Sequence, residues 1–243
     1  MPEIPQTSVT DFADIVSVRA QGELPVVVGG HAVNIWALTY AQRLGTQLNP
    51  YRPFTSKDLD LWGPKEILDS LALKYGVNIA WSPPRTPGWG KVVIPRGNLQ
   101  LKVELLSSVN GLNRADLENT FDLVIHGTEV RVLDAISCLK AKIANAADID
   151  QTERQDVKHV HIMKICAHEF ARDLLDLGDQ KRLTERQVVN RLEDLRDTLV
   201  GTKAREVERK WGIRFDGVMP AEAIRHSSLE KVRSFAQFRL DNV

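Results

Sequence analysis

The chain has 243 residues, of which 43% are hydrophobic and 26% charged, and Lys+Arg equals Asp+Glu at 32 each. That length and apolar content suffice for one large domain or two small ones with proper cores. The balanced charge argues against a protein that coats nucleic acid through a global positive field, and leaves only a local basic patch open.

Cys138 and Cys166 stand outside any C-x-x-C pair, which points to a reducing compartment without a disulfide framework. The stretch MPEIPQTSVTDF has no basic region followed by an apolar run, so no secretory signal is expected. The most apolar segment, Leu24 to Ala41, is interrupted by Gly29, Gly30, His31 and Asn34 and is not expected to span a bilayer. A soluble, cytoplasmic protein with no membrane partner is the expectation.

In chain order, Pro25 to Val28 is a short apolar run stopped by Gly29-Gly30, which reads as a buried strand. His31 to Leu44 follows with apolar residues at helical spacing. Leu59 to Trp62 reads as a strand and Pro64 to Lys74 as a helix with proline near its first turn. Val77 to Trp81, Lys91 to Ile94 and Leu99 to Leu106 read as further strands, the first two separated by the Pro/Gly-rich loop SPPRTPGWG. Phe121 to Ile125 and Glu129 to Leu133 alternate around His126-Gly127-Thr128 as a β-hairpin would.

After Leu133 the pattern turns helical, over Ala135 to Ala147, Glu153 to Leu177, Glu185 to Leu199 and Leu229 to Leu240. Ile162, Ile165, Cys166, Phe170 and Leu174 form one apolar stripe. No internal repeat is visible. The expected fold is α+β: a mixed β-sheet core with helices over residues 1–132, and an all-helical part over 133–243 packed tightly on it without a flexible linker.

Three features of the first half fit one chemistry. Val28-Gly29-Gly30-His31 ends a strand in two glycines and opens a helix, where the backbone can approach a phosphate and free N–H groups face it; a tight turn is the simpler use of such a pair. In Ser56-Lys57-Asp58-Leu59-Asp60-Leu61, period two puts Asp58 and Asp60 on one face, roughly 6.6–6.8 Å apart along the backbone, with the leucines on the other. Two carboxylates at that spacing suit Mg²⁺ or Mn²⁺, or lie on a solvated strand edge. Glu104, within Leu101-Lys102-Val103-Glu104-Leu105-Leu106, is costly in an apolar strand without a partner. It is either a third metal ligand or an ion-pair partner of Lys102.

A diglycine at a strand end, D-x-D on the next strand and a lone acidic residue on a later one together resemble the nucleotidyltransferase superfamily with a DNA polymerase β-like core. Gly29-Gly30-His31-Ala32-Val33 and Ser56-Lys57-Asp58-Leu59-Asp60-Leu61 look like its AbiEii-like branch, which includes toxins of bacterial abortive-infection systems. Val130-Arg131-Val132-Leu133-Asp134 resembles the family's hairpin leading into a Lys- or Arg-bearing helix, here Leu139 to Asn145. Arg154-Gln155-Asp156 resembles its later R-x-D element, where Arg-x-Lys-Asp is common. The likeness covers residues 24 to 165.

The resemblance implies a metal-dependent nucleotidyltransferase that uses an NTP, ATP among the candidates. Gly29 and Gly30 would bind the triphosphate, Ser56 would offer a hydroxyl near it, and Asp58, Asp60 and Glu104 would be catalytic and hold Mg²⁺ (or Mn²⁺). Lys140 and Lys142 cannot face the same way on a helix, and Lys142 is the one expected to reach the triphosphate. The acceptor would be RNA such as tRNA, or a protein hydroxyl, in a toxin with a partner antitoxin. Transfer to a small hydroxylated molecule such as an antibiotic, or a non-catalytic nucleotide- or partner-binding role, are the alternatives.

Other patterns carry less. Arg154, Lys158 and His161 would share one face of a helix starting at Glu153, forming a small cationic ridge or a solvated face. His159, His161, Cys166 and His168 match no standard zinc spacing. Neither G-x-x-x-x-G-K-[ST] nor G-x-G-x-x-G occurs. Residues 203–214, basic and carrying Trp211, read as a surface helix with ordinary salt pairs, or as a contact for single-stranded RNA.

Overall fold

A computed structural model describes residues 6–240. The chain enters through a 3₁₀ turn, Val9–Phe12, and the single-turn helix α1 (Ala13–Val16). Then come β1 (Val26–Val28), α2 (Gly29–Leu48), β2 (Leu59–Trp62), α3 (Glu66–Tyr75), β3 (Ala80–Trp81), β4 (Gly88–Arg96), β5 (Leu99–Leu106) and α4 (Arg114–Glu118). The hairpin β6 (Thr120–Ile125) and β7 (Thr128–Leu133) ends the sheet. Among the described residues, every regular element after it is a helix: α5 (Ala135–Asp148), α6 (Asp156–Asp179), α7 (Glu185–Val200), α8 (Thr202–Trp211), α9 (Ala221–Arg225) and α10 (Glu230–Arg239).

The strands form one seven-stranded mixed sheet in the order β3-β4-β5-β2-β1-β7-β6. Only β5/β2 and β1/β7 pair in parallel; the other neighbours are antiparallel. The α+β class expected from the sequence is therefore the fold observed: a mixed sheet with helices, then a helical C-terminal part. One apolar core runs continuously from Val9 through the sheet to Leu240.

Helix α2 is the central strut. It packs on β1, β2 and β7 and on α5 and α6. Trp36 donates its indole N–H to the Leu133 carbonyl at 2.8 Å and meets the Phe170 ring edge-on at 5.2 Å, which ties sheet to helices. At its far end, Tyr40 and Arg43 both donate to the Asp173 carboxylate of α6. Burying Trp36 and Phe170 removes the kind of area whose truncation costs about 3–5 kcal/mol each.

Several expected bounds shift. Val77 to Ile79 does not pair, so β3 is only Ala80–Trp81. β4 begins at Gly88, inside the expected loop, because Gly88 pairs with Leu106 across a bulge between Gly88 and Gly90. α6 begins at Asp156 rather than Glu153, which leaves Arg154 outside the helix. Residues 203–211 fall in α8, where Lys203 and Lys210 pair with Asp148 and Glu206 and Trp211 donates to the Ala146 carbonyl. No helix among the described residues is long and apolar enough to cross a membrane.

Candidate active site

Strand register assembles the site. Val28 at the end of β1 lies opposite Asp60 on β2, and Asp60 lies opposite Glu104 on β5. Three neighbouring strands thus bring the diglycine and two carboxylates into one row. Asp58 stands just before β2 and, two residues from Asp60, shares its face. The alternation does the sorting: Leu59, Leu61, Val103 and Leu105 are buried on one side, and Asp58, Asp60, Lys102 and Glu104 are half-buried on the other. Asp58, Asp60 and Glu104 each offer an oxygen, and these oxygens lie within 4.8 Å of one another.

The two glycines are dictated by what leans on them. Gly29 has φ +66°, and a Cβ there would stand 2.0 Å from Asp60 Oδ2. A Cβ on Gly30 would stand 2.4 Å from Ser56 Oγ. Removing both side chains lets Asp60 and Ser56 press against the first turn of α2, whose leading N–H groups have no partner within the helix.

Lys102, two residues from Glu104 on β5, enters the acidic group. Its Nζ lies 2.6 Å from Glu104 Oε1 and 3.3 Å from Asp58 Oδ2. Against burial, these contacts raise the Lys102 pKa and hold it charged. One ammonium cannot balance three carboxylates. Burial, with the Asp58 charge next and Glu104 adding to it, pushes Asp60 up to about 7, although Lys142 and Lys102 pull the other way. A hard, all-oxygen donor set with excess negative charge around a stand-in ammonium fits Mg²⁺ or Mn²⁺.

The cleft also takes in Lys142 and Arg154 together with Glu153 and Asp156. Gly30, Ser56, Asp58, Asp60, Lys142 and Arg154 all line it. Lys142, on α5, is buried and donates to Asp156 Oδ1 at 2.9 Å, while Arg154 Nε donates to Asp156 Oδ2 at 2.6 Å. Burial would raise the Asp156 pKa, but Lys142 and Arg154 outweigh it and hold the carboxyl well below the usual range. Lys140 turns away to Asp116 at 2.8 Å.

Of the residues singled out in the sequence, Gly29, Gly30, Ser56, Asp58, Asp60, Glu104 and Lys142 come together here. Others do not. Lys158 donates to the Pro53 carbonyl and His161 stacks on Tyr51 with ring centroids 5.7 Å apart, so with Arg154 off the helix the cationic ridge dissolves. Cys166 is buried in the core, and His168 faces the Gly217 carbonyl at 3.0 Å.

Three features of the candidate site escape sequence reading. Asp156, singled out only as part of Arg154-Gln155-Asp156, also pairs with Lys142 of α5, a contact between helices that no periodicity reports. Lys102 reaches Asp58 as well as Glu104. His159 is buried under the cleft, its Cε1 3.4 Å from where a Gly30 Cβ would stand, with neither ring nitrogen hydrogen-bonded among the described residues. Burial first, then the Lys142 charge, keeps its pKa well below the usual value, so the ring is neutral.

No protein-family model matches the chain, and no curated protein matches it. Among solved structures it is similar to an antigenic nucleotidyltransferase-like protein from Paracoccidioides brasiliensis, at 17% identity and a TM-score of 0.42, over 66% of this chain and 78% of that one.

Proposed function

We propose that this chain is a metal-dependent nucleotidyltransferase that moves a nucleoside monophosphate from an NTP to an acceptor hydroxyl. The observation that carries the reading is the convergence of Asp58, Asp60 and Glu104 from β2 and β5 onto one spot beside the diglycine. Asp58, Asp60 and Glu104 would hold Mg²⁺ or Mn²⁺. When bound, such cations make the acceptor hydroxyl a better nucleophile and offset charge on the departing pyrophosphate.

The chain's own groups supply the rest. The α2 N-terminus and the Ser56 hydroxyl receive phosphate oxygens. Lys142, fixed by Asp156, presents positive charge without searching for it, which is the preorganisation that stabilises developing charge. The acceptor oxygen then bonds to the α-phosphorus as the bond to the β-phosphate oxygen breaks and pyrophosphate leaves. Residues 1–132 would be the nucleotidyltransferase core and 133–243 a helical domain contributing Lys142 and Asp156.

Lys57 and Arg154 line the cleft, together with Glu153, and the two cations support a polyanionic acceptor, RNA such as tRNA, over a protein hydroxyl or a small molecule. A toxin held in check by an antitoxin is one setting for such an activity. The test is incubation with each radiolabelled NTP, Mg²⁺ or Mn²⁺ and a cell extract, followed by fractionation into RNA, protein and small molecules. Label in RNA with wild type and none with Asp60→Ala is expected. Equal labelling by the two proteins would overturn the assignment.

A further inference from the structure

The acidic group contains its own cation. Lys102 Nζ bonds Glu104 at 2.6 Å and Asp58 at 3.3 Å, and those two carboxylates with Asp60 are the group whose oxygens lie within 4.8 Å of each other. A divalent ion drawing an oxygen from each of the three must approach carboxylates that the ammonium already holds, against its positive charge. Lys102 is also tethered: β5 pairs with β2 on one side and β4 on the other, so its backbone stays and only its side chain can leave. Its side chain is 38% exposed, so an exit to solvent is open.

Resting on the metal-centre reading above, we propose that Lys102 is a tethered counter-ion that a divalent cation must displace, and that it couples metal binding to nucleotide binding. An evicted ammonium needs a new anionic partner, and bare metal supplies none. A metal–triphosphate complex does, because its phosphates bring negative charge to the cleft with the cation. Free metal then binds weakly and the metal–nucleotide complex binds well. The device offsets part of the charge of three neighbouring carboxylates in the resting protein and reserves the full centre for the loaded state. Lys102 is thus a positioning residue that acts through Asp58 and Glu104.

The test reads Mn²⁺ affinity by electron paramagnetic resonance, first with Mn²⁺ alone and then with an α,β-methylene triphosphate analogue. Lys102→Met is expected to bind Mn²⁺ alone about tenfold more tightly than wild type, since a repelling charge a few ångströms away is gone. Lys102→Arg is expected to bind no more tightly than wild type. Adding the analogue should tighten Mn²⁺ more in wild type than in Lys102→Met. Unchanged or weaker Mn²⁺ binding by Lys102→Met would sink the proposal, as would equal tightening by the arginine variant.

A measurement on wild-type protein guards against a Lys102→Met chain that fails to fold. With lysines ¹³C-dimethylated and the Lys102 resonance assigned through Lys102→Arg, saturating Mg²⁺ plus analogue should shift that resonance; a static signal refutes displacement. If Asp60→Asn binds Mn²⁺ as wild type does, the cation is not held by these carboxylates, and the metal-centre reading fails with this one.

Discussion

Two charged clusters meet at the cleft, and they solve the problem of burial in opposite ways. At the strand ends, Asp58, Asp60 and Glu104 share only Lys102. Between α5 and α6, Asp156 alone receives Lys142, Arg154 and Asn145. The first cluster is left with excess negative charge and an Asp60 carboxyl that resists ionising; the second carries excess positive charge and a carboxylate that resists protonation. Satisfied polar groups hold structure together, whereas an unbalanced cluster signals a missing partner. A cation on one side and an anion on the other would neutralise both, which is the charge pattern of a metal–phosphate ligand.

The sharpest way to break the comparison is Asp60→Asn. Transfer is expected to fall by about a thousandfold or more, in the range of losing a main transition-state charge stabiliser. The same variant should melt at a higher temperature than wild type in metal-free buffer at pH 8, because it removes a poorly compensated buried charge. Calorimetry and the labelling assay read the two effects. A variant that is both inactive and less stable would mean that Asp60 holds the fold.

Lys142→Met tests the other cluster. It strips a buried carboxylate of its closest buried cation, a change that costs about 3–5 kcal/mol when a buried pair is broken one-sidedly. Asp156→Leu added to it should return most of that stability and none of the nucleotide affinity. Recovery of both in the double variant would make the pair purely structural.

The pH response should separate the clusters further. Asp60 has its folded pKa raised to about 7, above the unfolded value near 4. Its contribution to stability is therefore fully present below about pH 4 and is lost as pH rises through about 7. Mn²⁺ affinity should climb over the same upper range, as the proton leaves. Metal-free melts of wild type against Asp60→Asn should diverge from pH 5 to about 7 and run parallel above it; parallel curves throughout would contradict the shift. The smallest effect belongs to Lys140→Met. Its pair with Asp116 is half-exposed on the lysine side, so a loss of about 1 kcal/mol and unchanged transfer are expected.

Much of this was legible in the residues. β2 and β5 fall where Leu59–Trp62 and Leu99–Leu106 put them, because leucine and valine alternating with charge can only be a half-buried strand. That alternation also sets Asp58 and Asp60 on one face of their strand, and Glu104 on the face of its own strand away from Val103 and Leu105. Pairing between strands was not legible: nothing in the spacing says that Asp60 lies opposite Glu104. Nor was the start of α6, since Arg154 continues the helical pattern while Gln151 and Thr152 fold back on Ile149 and Asp150. The Lys142–Asp156 pair and the neutral His159 were hidden for the same reason, that contacts between helices depend on packing angles no local pattern encodes.

The diglycine leaves a mark on how such a sequence can diverge. The space a side chain would take at position 29 is filled by Asp60, and the space at position 30 by Ser56. A larger residue at position 29 therefore needs two changes at once, loss of the Asp60 side chain and relaxation of the left-handed backbone at 29. Drift at Gly29 alone is closed off while the acid stays.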